Sequence, residues 1–373
     1  MMIVGVDARA AAEVPAGRGR VVRELLPAFE EAATDNRFRL YCRQPWRGVA
    51  LGESFRWAPI RLPDPAWHVA AARRASRSCD VFLSTNSYLT VWMLSVPSVV
   101  FVHDLVAFLP RAMAQERAAR IERATIRLAI RRAERLVCIS RSTERDLLEL
   151  FPRAAGKTTT IPLAAAAAFG RHSNLSELDR VAARYGVAAG GYVLSTGSLE
   201  PRKNLARLIR AHGALPDELR RSYPLLLVGP RGWDENEILH AAEQRADSVR
   251  VTGFVPDDDL AGLYAGCALF CFPSLYEGFG LPVLEAMAAG APVVTSETSS
   301  LPEVGGDAVV YVQPEDERSI ASAMEQLLRS PDERARLGAR ARRRATEFSW
   351  DRVARALLDE LERAAATRRK SGP

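Results

Sequence analysis

The sequence predicts an α/β protein made of two Rossmann-like domains, each a doubly wound parallel sheet, facing each other across a cleft. Three observations carry that expectation. At 373 residues the chain exceeds one comfortable hydrophobic core, so two domains are the default. Its 48% apolar and 26% charged composition is that of a soluble globular protein. Strand-like apolar runs alternate with helical ones, and they do so twice. The expected domains are residues 1–170 and 171–349, with a last helix, 350–366, packing back onto the first.

In the first half the expected strands are Met2–Asp7, Phe38–Cys42, Val81–Ser84, Ser98–Val102 and Leu136–Ile139. In the second they are Tyr192–Thr196, Leu225–Gly229, Val249–Thr252, Ala268–Phe272, Val293–Thr295 and Val309–Val312. Between Leu163 and about Gly191 neither period is strong, which marks a linker zone. A ligand of such a fold lies near the carboxyl ends of the strands. Pro27, inside the helical pattern that follows the first strand, should kink or shorten that helix. Near the C-terminus, Val353, Leu357, Leu358 and Leu361 recur at helical spacing after Phe348-Ser-Trp350.

Several classes of function recede on composition. The N-terminus enters a strand pattern without a basic leader, so no secretory signal is expected. The longest nearly apolar stretch, Leu89 to Val102, is broken by Pro97 and is too short for a bilayer. Five cysteines (Cys42, Cys79, Cys138, Cys267, Cys271) form no C-x-x-C pair and read as buried thiols of a reducing cytosol. The net charge of +6 is uneven: from Arg111 to Arg153, eleven arginines face six acids. A helix face laced with Glu–Arg pairs explains that stretch, and docking to an anionic membrane surface is the functional alternative. Aromatic residues are sparse there and no recognised motif accompanies the charge, which disfavours nucleic acid.

The most informative segment is Ser274-Leu-Tyr-Glu-Gly-Phe-Gly-Leu-Pro-Val-Leu-Glu285. It joins a buried-strand pattern to a short helix, with Pro282 suited to the helix start and Gly290 to its end. Gly278-Phe-Gly280 therefore lies at a helix N-terminus, where unpaired N–H groups attract an anion. Glu277 and Glu285 flank the turn. As acceptors only, they suit the hydroxyls of a sugar and a ribose, so the arrangement suggests a nucleotide-sugar site. Arg202 and Lys203, in Thr196-Gly-Ser-Leu-Glu-Pro-Arg-Lys-Asn204, sit at another strand end. They are placed to stabilise charge that grows on a departing diphosphate. Only three of the 51 basic residues are lysine, so Lys203 stands out from background usage.

The first half is quieter. Ala16-Gly-Arg-Gly-Arg20 opens a helix, but G-x-G without a third glycine is a weak dinucleotide signature. Of five histidines (His68, His103, His172, His212, His240), only His103 stands at a strand's carboxyl end beside a loop. Ser140 and Thr143 are explained equally well by a helix N-cap. Asp257-Asp-Asp259 spells D-x-D, a metal–diphosphate pattern, although acids in a helix's first turn are the simpler account.

These strings together resemble the retaining glycosyltransferases of family 4, which have the GT-B fold. The resemblance lies in the E-x7-E segment with G-F-G-L-P-V-L-E, in E-P-R-K-N, in V-H-D-L, in S-S-L-P-E at 299–303, and in the F-S-W ending. It implies an enzyme that moves a hexose from a nucleotide sugar to a hydroxyl with retention, and generally without a metal. It implies that Arg202 and Lys203 bind donor phosphates together with the turn Gly278, Phe279, Gly280 and Leu281. Glu285 would hold ribose and Glu277 the sugar near the reacting carbon. Val255, after Gly253-Phe254, lies in the stretch whose backbone reads the base, and the Gly17–Gly19 loop would approach donor phosphate and acceptor. His103 would hold a sugar hydroxyl on the acceptor side. Glu297 stands where Asn is more usual.

The E-P-R-K-N wording is similar to that of bacterial polysaccharide mannosyltransferases, which implies GDP-mannose as donor and a glycan or lipid-linked acceptor. The setting would be the cytoplasm, at the inner face of the membrane. Three rivals use the same residues differently: a hydrolase with Glu277 and Glu285 as its carboxylate pair, a sugar-nucleotide epimerase, and a binding protein without activity.

Overall fold

The computed structural model describes residues 1–32, 35–110, 113–171 and 174–370. Among them the chain forms two compact units. The first comprises Met1–Phe108, Glu116–Leu163 and Ser349–Pro373, and the second comprises Leu109–Gln115 and Ala164–Phe348. The change of unit at Leu163/Ala164 lies at the start of the stretch that shows neither period.

In the first unit the strands are β1 (Ile3–Asp7), β2 (Arg37–Cys42), β3 (Phe55–Pro59), β4 (Val81–Ser84), β5 (Ser98–Val102), β6 (Arg135–Cys138) and β7 (Thr158–Thr160). Their order across the sheet is β3-β2-β1-β4-β5-β6-β7, and every neighbouring pair is parallel. The order runs outward both ways from β1 and β4, the arrangement of a doubly wound sheet. Central strands β4 and β5 are buried throughout because helices cover both faces.

The edges explain what the sequence did not announce. β3 has the exposed, arginine-bearing sequence Phe-Arg-Trp-Ala-Pro and β7 is three half-buried threonines. Neither has an apolar run, and each exists by hydrogen bonding to its inner neighbour. Pro27 also behaves differently from expectation. The helix Arg18–Ala32 runs through it without ending. Its face Val21, Val22, Leu25, Leu26 and Phe29 is fully buried, and the last helix, Trp350–Lys370, packs on it. That burial outweighs the roughly 3 kcal/mol a helix-interior proline costs. The same last helix carries buried Glu360, which accepts from Arg135 of β6 and from Arg363.

The second unit contains β8 (Val193–Thr196), β9 (Leu225–Val228), β10 (Val249–Gly253), β11 (Leu269–Phe272), β12 (Val293–Ser296) and β13 (Val310–Val312). The order β10-β9-β8-β11-β12-β13 is again parallel throughout. β8 and β11 are adjacent at the centre, where the direction of winding reverses. Their carboxyl ends lead into the two most distinctive motifs of the chain. All five cysteines are free and buried. No helix among the described residues is long and apolar enough to cross a membrane.

Candidate functional site

In the second unit, the loops after β8 and β11 are zipped together. Leu275 N–H donates to the Arg202 carbonyl at 2.9 Å, and Ser274 Oγ lies 3.1 Å from the same oxygen. Asn204 has a left-handed backbone (φ 60°), a conformation Asn tolerates. It caps no N–H; its buried side chain donates to the carbonyls of Pro273 (2.9 Å) and Pro314 (2.6 Å). A single turn, Pro201–Lys203, is thereby held against the strand end after β11.

That zipper brings three of the expected residues into one ion cluster. Lys203 Nζ donates to Glu277 Oε1 at 2.7 Å, and Arg202 Nη1 lies 3.0 Å from Glu277 Oε2. Ser274 Oγ donates to Oε1 at 2.6 Å, and Arg202 also reaches Glu200 and the Tyr276 carbonyl. The Glu277 backbone is gripped as well, its N–H donating to Ser299 Oγ and its carbonyl accepting from Ser300 Oγ, both at 2.9 Å. Burial alone would raise the Glu277 carboxyl, but Arg202 and Lys203 outweigh it and hold the group down to about 2. Burial also pushes Lys203 below its ordinary range against the pull of Glu277. Two basic side chains and a hydroxyl converge on the carboxylate. The Glu277 carboxyl therefore stays ionised at neutral pH, bridged to both basic side chains.

Beside the triad, Gly280 (φ 105°) caps the helix Leu281–Ala289, with Pro282 in its first turn and Gly290 (φ 81°) at its end. A Cβ on Gly280 would stand 2.8 Å from Leu301 Cδ2, so both angle and space require glycine there. Phe279 is buried and packs edge-on to Phe348. Leu281 is half-buried at the first helical position. Glu285 is not part of the triad: it is 1% exposed and accepts from Tyr264 Oη at 3.1 Å. That hydroxyl in turn accepts from Thr196 Oγ1 at 2.8 Å, which ties Glu285 to the end of β8. β10 ends on Gly253 at φ 75°, and beyond it Phe254 is 53% exposed and Val255 is buried.

Asp257–Asp259 occupies the first turn of the helix Asp257–Gly266. Asp259 pairs with Arg184 and accepts from Tyr185 Oη at 2.7 Å. Among the described residues no group of three His, Cys, Asp or Glu could hold a metal ion. Glu297 is exposed.

In the first unit, His103 follows β5 and stacks on Phe101 with ring centroids 5.5 Å apart. Its Nε2 lies 2.6 Å from the Thr85 carbonyl. A carbonyl only accepts, so Nε2 carries the proton and Nδ1 is left as an acceptor. Burial, reinforced by Arg18, lowers this imidazole to about 4, and the ring is neutral. Sequence reasoning missed Glu122, on the helix Glu116–Arg132. Arg123 of that helix donates to the Ala107 carbonyl, three residues beyond Asp104. Burial and then Asp104 raise the Glu122 carboxyl to about 7, with Arg18 opposing. Arg18 Nη1 donates to Asn86 Oδ1 at 3.0 Å. The carboxyl titrating near neutrality and the neutral histidine thus share the same two charged neighbours, Asp104 and Arg18.

The glycine loop divides in two. A Cβ on Gly19 would overlap the Val14 carbonyl oxygen (1.8 Å), so its close approach is to the chain's own backbone. Gly17, at φ 52°, has nothing within 4 Å of such a Cβ. Ser140 caps the helix Arg141–Leu150, accepting from Thr143 N–H at 3.0 Å. His68 and His212 are buried and hydrogen-bonded within their own units, and His172 lies outside the described residues. No signal in the sequence marked Ser274, Tyr264 or Glu122. Ser299 and Ser300 were visible as wording without a role.

Comparison with known proteins agrees with these observations. The family described as glycosyl transferases group 1 matches residues 189–344, and the one described as glycosyltransferase family 4 matches residues 17–165. O-antigen chain mannosyltransferase B of Escherichia coli is 37% identical over 257 residues, 68% of this chain and 67% of its own length. The serotype-specific mannosyltransferase WbdA of Escherichia coli is 35% identical over 237 residues, 62% of this chain and 29% of its length. The chain thus spans about two thirds of the first relative and less than a third of the second. Anabaena Alr3699/HepE, solved in complex with UDP and glucose, shares the fold at 18% identity. Its TM-score is 0.76, over 97% of this chain and 100% of that one.

Proposed function

This chain belongs to the glycosyltransferases of family 4, and from that premise we propose that it moves a hexosyl group from a nucleotide sugar to a glycan hydroxyl in polysaccharide biosynthesis, with retention and without a metal. The donor we propose is GDP-mannose, on the strength of the mannosyltransferase relatives. The observation that carries the reading is the buried Arg202–Lys203–Glu277 triad beside the N-terminus of the helix Leu281–Ala289. Glu277 fixes two basic side chains at a strand end, beside the N-terminus of that helix. Such preorganised positive charge favours a diphosphate as it departs, where each donor is worth about 3–4 kcal/mol of barrier. In this reading the sugar C1–O bond to phosphate breaks and the acceptor oxygen bonds to C1 on the same face. The acceptor's proton goes to the departing phosphate oxygen.

Glu285, held by Tyr264, takes the ribose hydroxyls, and the backbone around Val255 takes the base. On the acceptor side, neutral His103 accepts a sugar hydroxyl through Nδ1, and Glu122 and Asp104 accept others. The hydrolase alternative needs Glu277 as acid or nucleophile. A carboxyl held at about 2 by two cations is a poor acid at neutral pH and a quenched nucleophile.

We also place the enzyme in the cytoplasm, touching the inner face of the membrane. The basic helix supports this in part. Arg120 pairs with Glu116, as a solvated face would, but among the described residues Arg127 and Arg131 have no carboxylate partner. With Arg153, Lys157, Leu150 and Phe151 they line a cavity of about 700 Å³ that suits an anionic amphiphile. The test of the function is proton NMR of GDP-mannose incubated with a mannoside acceptor in EDTA. An α-linked product formed with GDP release is expected. GDP-sugar turnover without need of acceptor would favour an epimerase, and glycoside cleavage without nucleotide a hydrolase.

A further inference from the structure

Arg39 of β2 and Arg56 of β3 are register partners on adjacent parallel strands. Strands lie about 4.8 Å apart, so the two guanidinium stems run side by side on one face of the sheet. The helix Ala66–Ser78 adds Arg74 and Arg77 over that face. These four arginines, with Tyr41, Trp57 and Ser78, line a cavity of about 320 Å³. No acid borders it. Asp80, on the neighbouring groove lined by Arg39 and Arg77, is engaged by the Ile3 N–H at 2.7 Å.

Elsewhere in this unit arginines do find carboxylates: Arg9 and Arg43 reach Asp64, and Arg135 reaches Glu360. Among the described residues none of the four clustered arginines, of which Arg56, Arg74 and Arg77 are exposed and Arg39 is half-buried, has such a partner, and Arg74 donates only to the Pro59 carbonyl at 3.3 Å. Surplus arginine on a solvated surface would spread out. Like charges placed opposite one another in a sheet destabilise it instead. The negative end of the helix Ala66–Ser78 accounts for Arg77 in its last turn, but not for the other three.

We propose that Arg39, Arg56, Arg74 and Arg77 form a second anion site, which takes a phosphate-bearing ligand with a diphosphate-sized head. Guanidinium forks match phosphate oxygens in pairs, which single-point cations do not. The Tyr41 and Ser78 hydroxyls at the floor lie 3.3 Å apart and Ser78 Oγ donates to the Arg74 carbonyl at 2.7 Å, so the guanidinium groups alone face the ligand. The site lies on β2 and the edge strand β3, whereas His103 follows β5, which is three strands from β2 across the sheet. It is therefore separate from the proposed reaction site and does not depend on it.

The test uses the full-length protein and two probes, inorganic pyrophosphate by calorimetry and phosphatidylglycerol-containing vesicles by flotation. Binding of pyrophosphate is expected to persist in Arg202→Gln and to weaken about tenfold or more in Arg39→Gln/Arg56→Gln. Pyrophosphate should raise the melting temperature of the wild type more than that of the double variant. Binding of vesicles but not pyrophosphate, lost in the same variant, supports the site and makes its ligand a lipid headgroup. If the strand variant does not fold, Arg74→Gln/Arg77→Gln on the exposed helix face carries the same comparison. Equal binding of both probes by wild type and variants, or binding of neither, overturns the proposal.

Discussion

Glu277 is where the account is most exposed to a single substitution. Its two oxygens serve Arg202, Lys203 and Ser274 at once. Glu277→Ala should cost about 3–5 kcal/mol, because it strands two buried cations. The pH dependence has a definite sign. The folded carboxyl, at about 2, lies below its ordinary value, so its contribution is complete above about 4.5 and is lost as pH falls toward 2. Urea melts of wild type and Glu277→Gln should therefore converge across that window. Glu122 has the opposite sign. Its folded value near 7 exceeds the ordinary one, so ionising it costs stability as pH rises from about 4.5 through 7. Glu122→Gln should flatten that slope, gaining on the wild type at pH 8 relative to pH 5. An unchanged slope would remove Glu122 from the acid pair with Asp104.

At the scale of elements, the two glycines of the first loop separate function from packing. Gly19→Ala must push a methyl into the Val14 carbonyl, so it should destabilise well beyond 1 kcal/mol and displace the helix Arg18–Ala32. Gly17→Ala meets no atom and should cost only about 1–2 kcal/mol for its left-handed backbone. A chemical-denaturation comparison decides it, and equal losses would contradict the assignment. Legibility follows the same divide. Central strands such as β5 and β11 were readable because burial on both faces leaves an apolar run. β3 and β7 were not, since an edge strand is defined by its neighbour's hydrogen bonds and not by its own composition. Pro27 misled because the proline rule is local, while the burial that sustains its helix involves the chain's last helix.

At the scale of the molecule, the two winding reversals explain why so much of the site could be read. The E-P-R-K-N and E-x7-E motifs sit on loops at the carboxyl ends of the central strands β8 and β11, and such loops keep distinctive wording while the sheet keeps only apolarity. Arg202, Lys203 and Glu277 were legible as chemistry. That they bind one another was not, because 74 residues separate them in sequence and only the β8–β11 adjacency joins them. Glu285 facing Tyr264 and Glu122 facing Asp104 are likewise products of packing between elements. The last helix adds a stability test of its own. Buried Glu360 anchors it to Arg135, and Glu360→Ala should lower the melting temperature and fray the C-terminus, as hydrogen exchange would show.

The most direct test of the central claim is a thermal-shift titration with GDP, UDP, dTDP and their sugar conjugates in EDTA. The account predicts a saturable rise with GDP and GDP-mannose that disappears in Lys203→Ala and in Glu285→Ala. A folded wild type that answers to no nucleotide, or a shift that survives both substitutions, would contradict it.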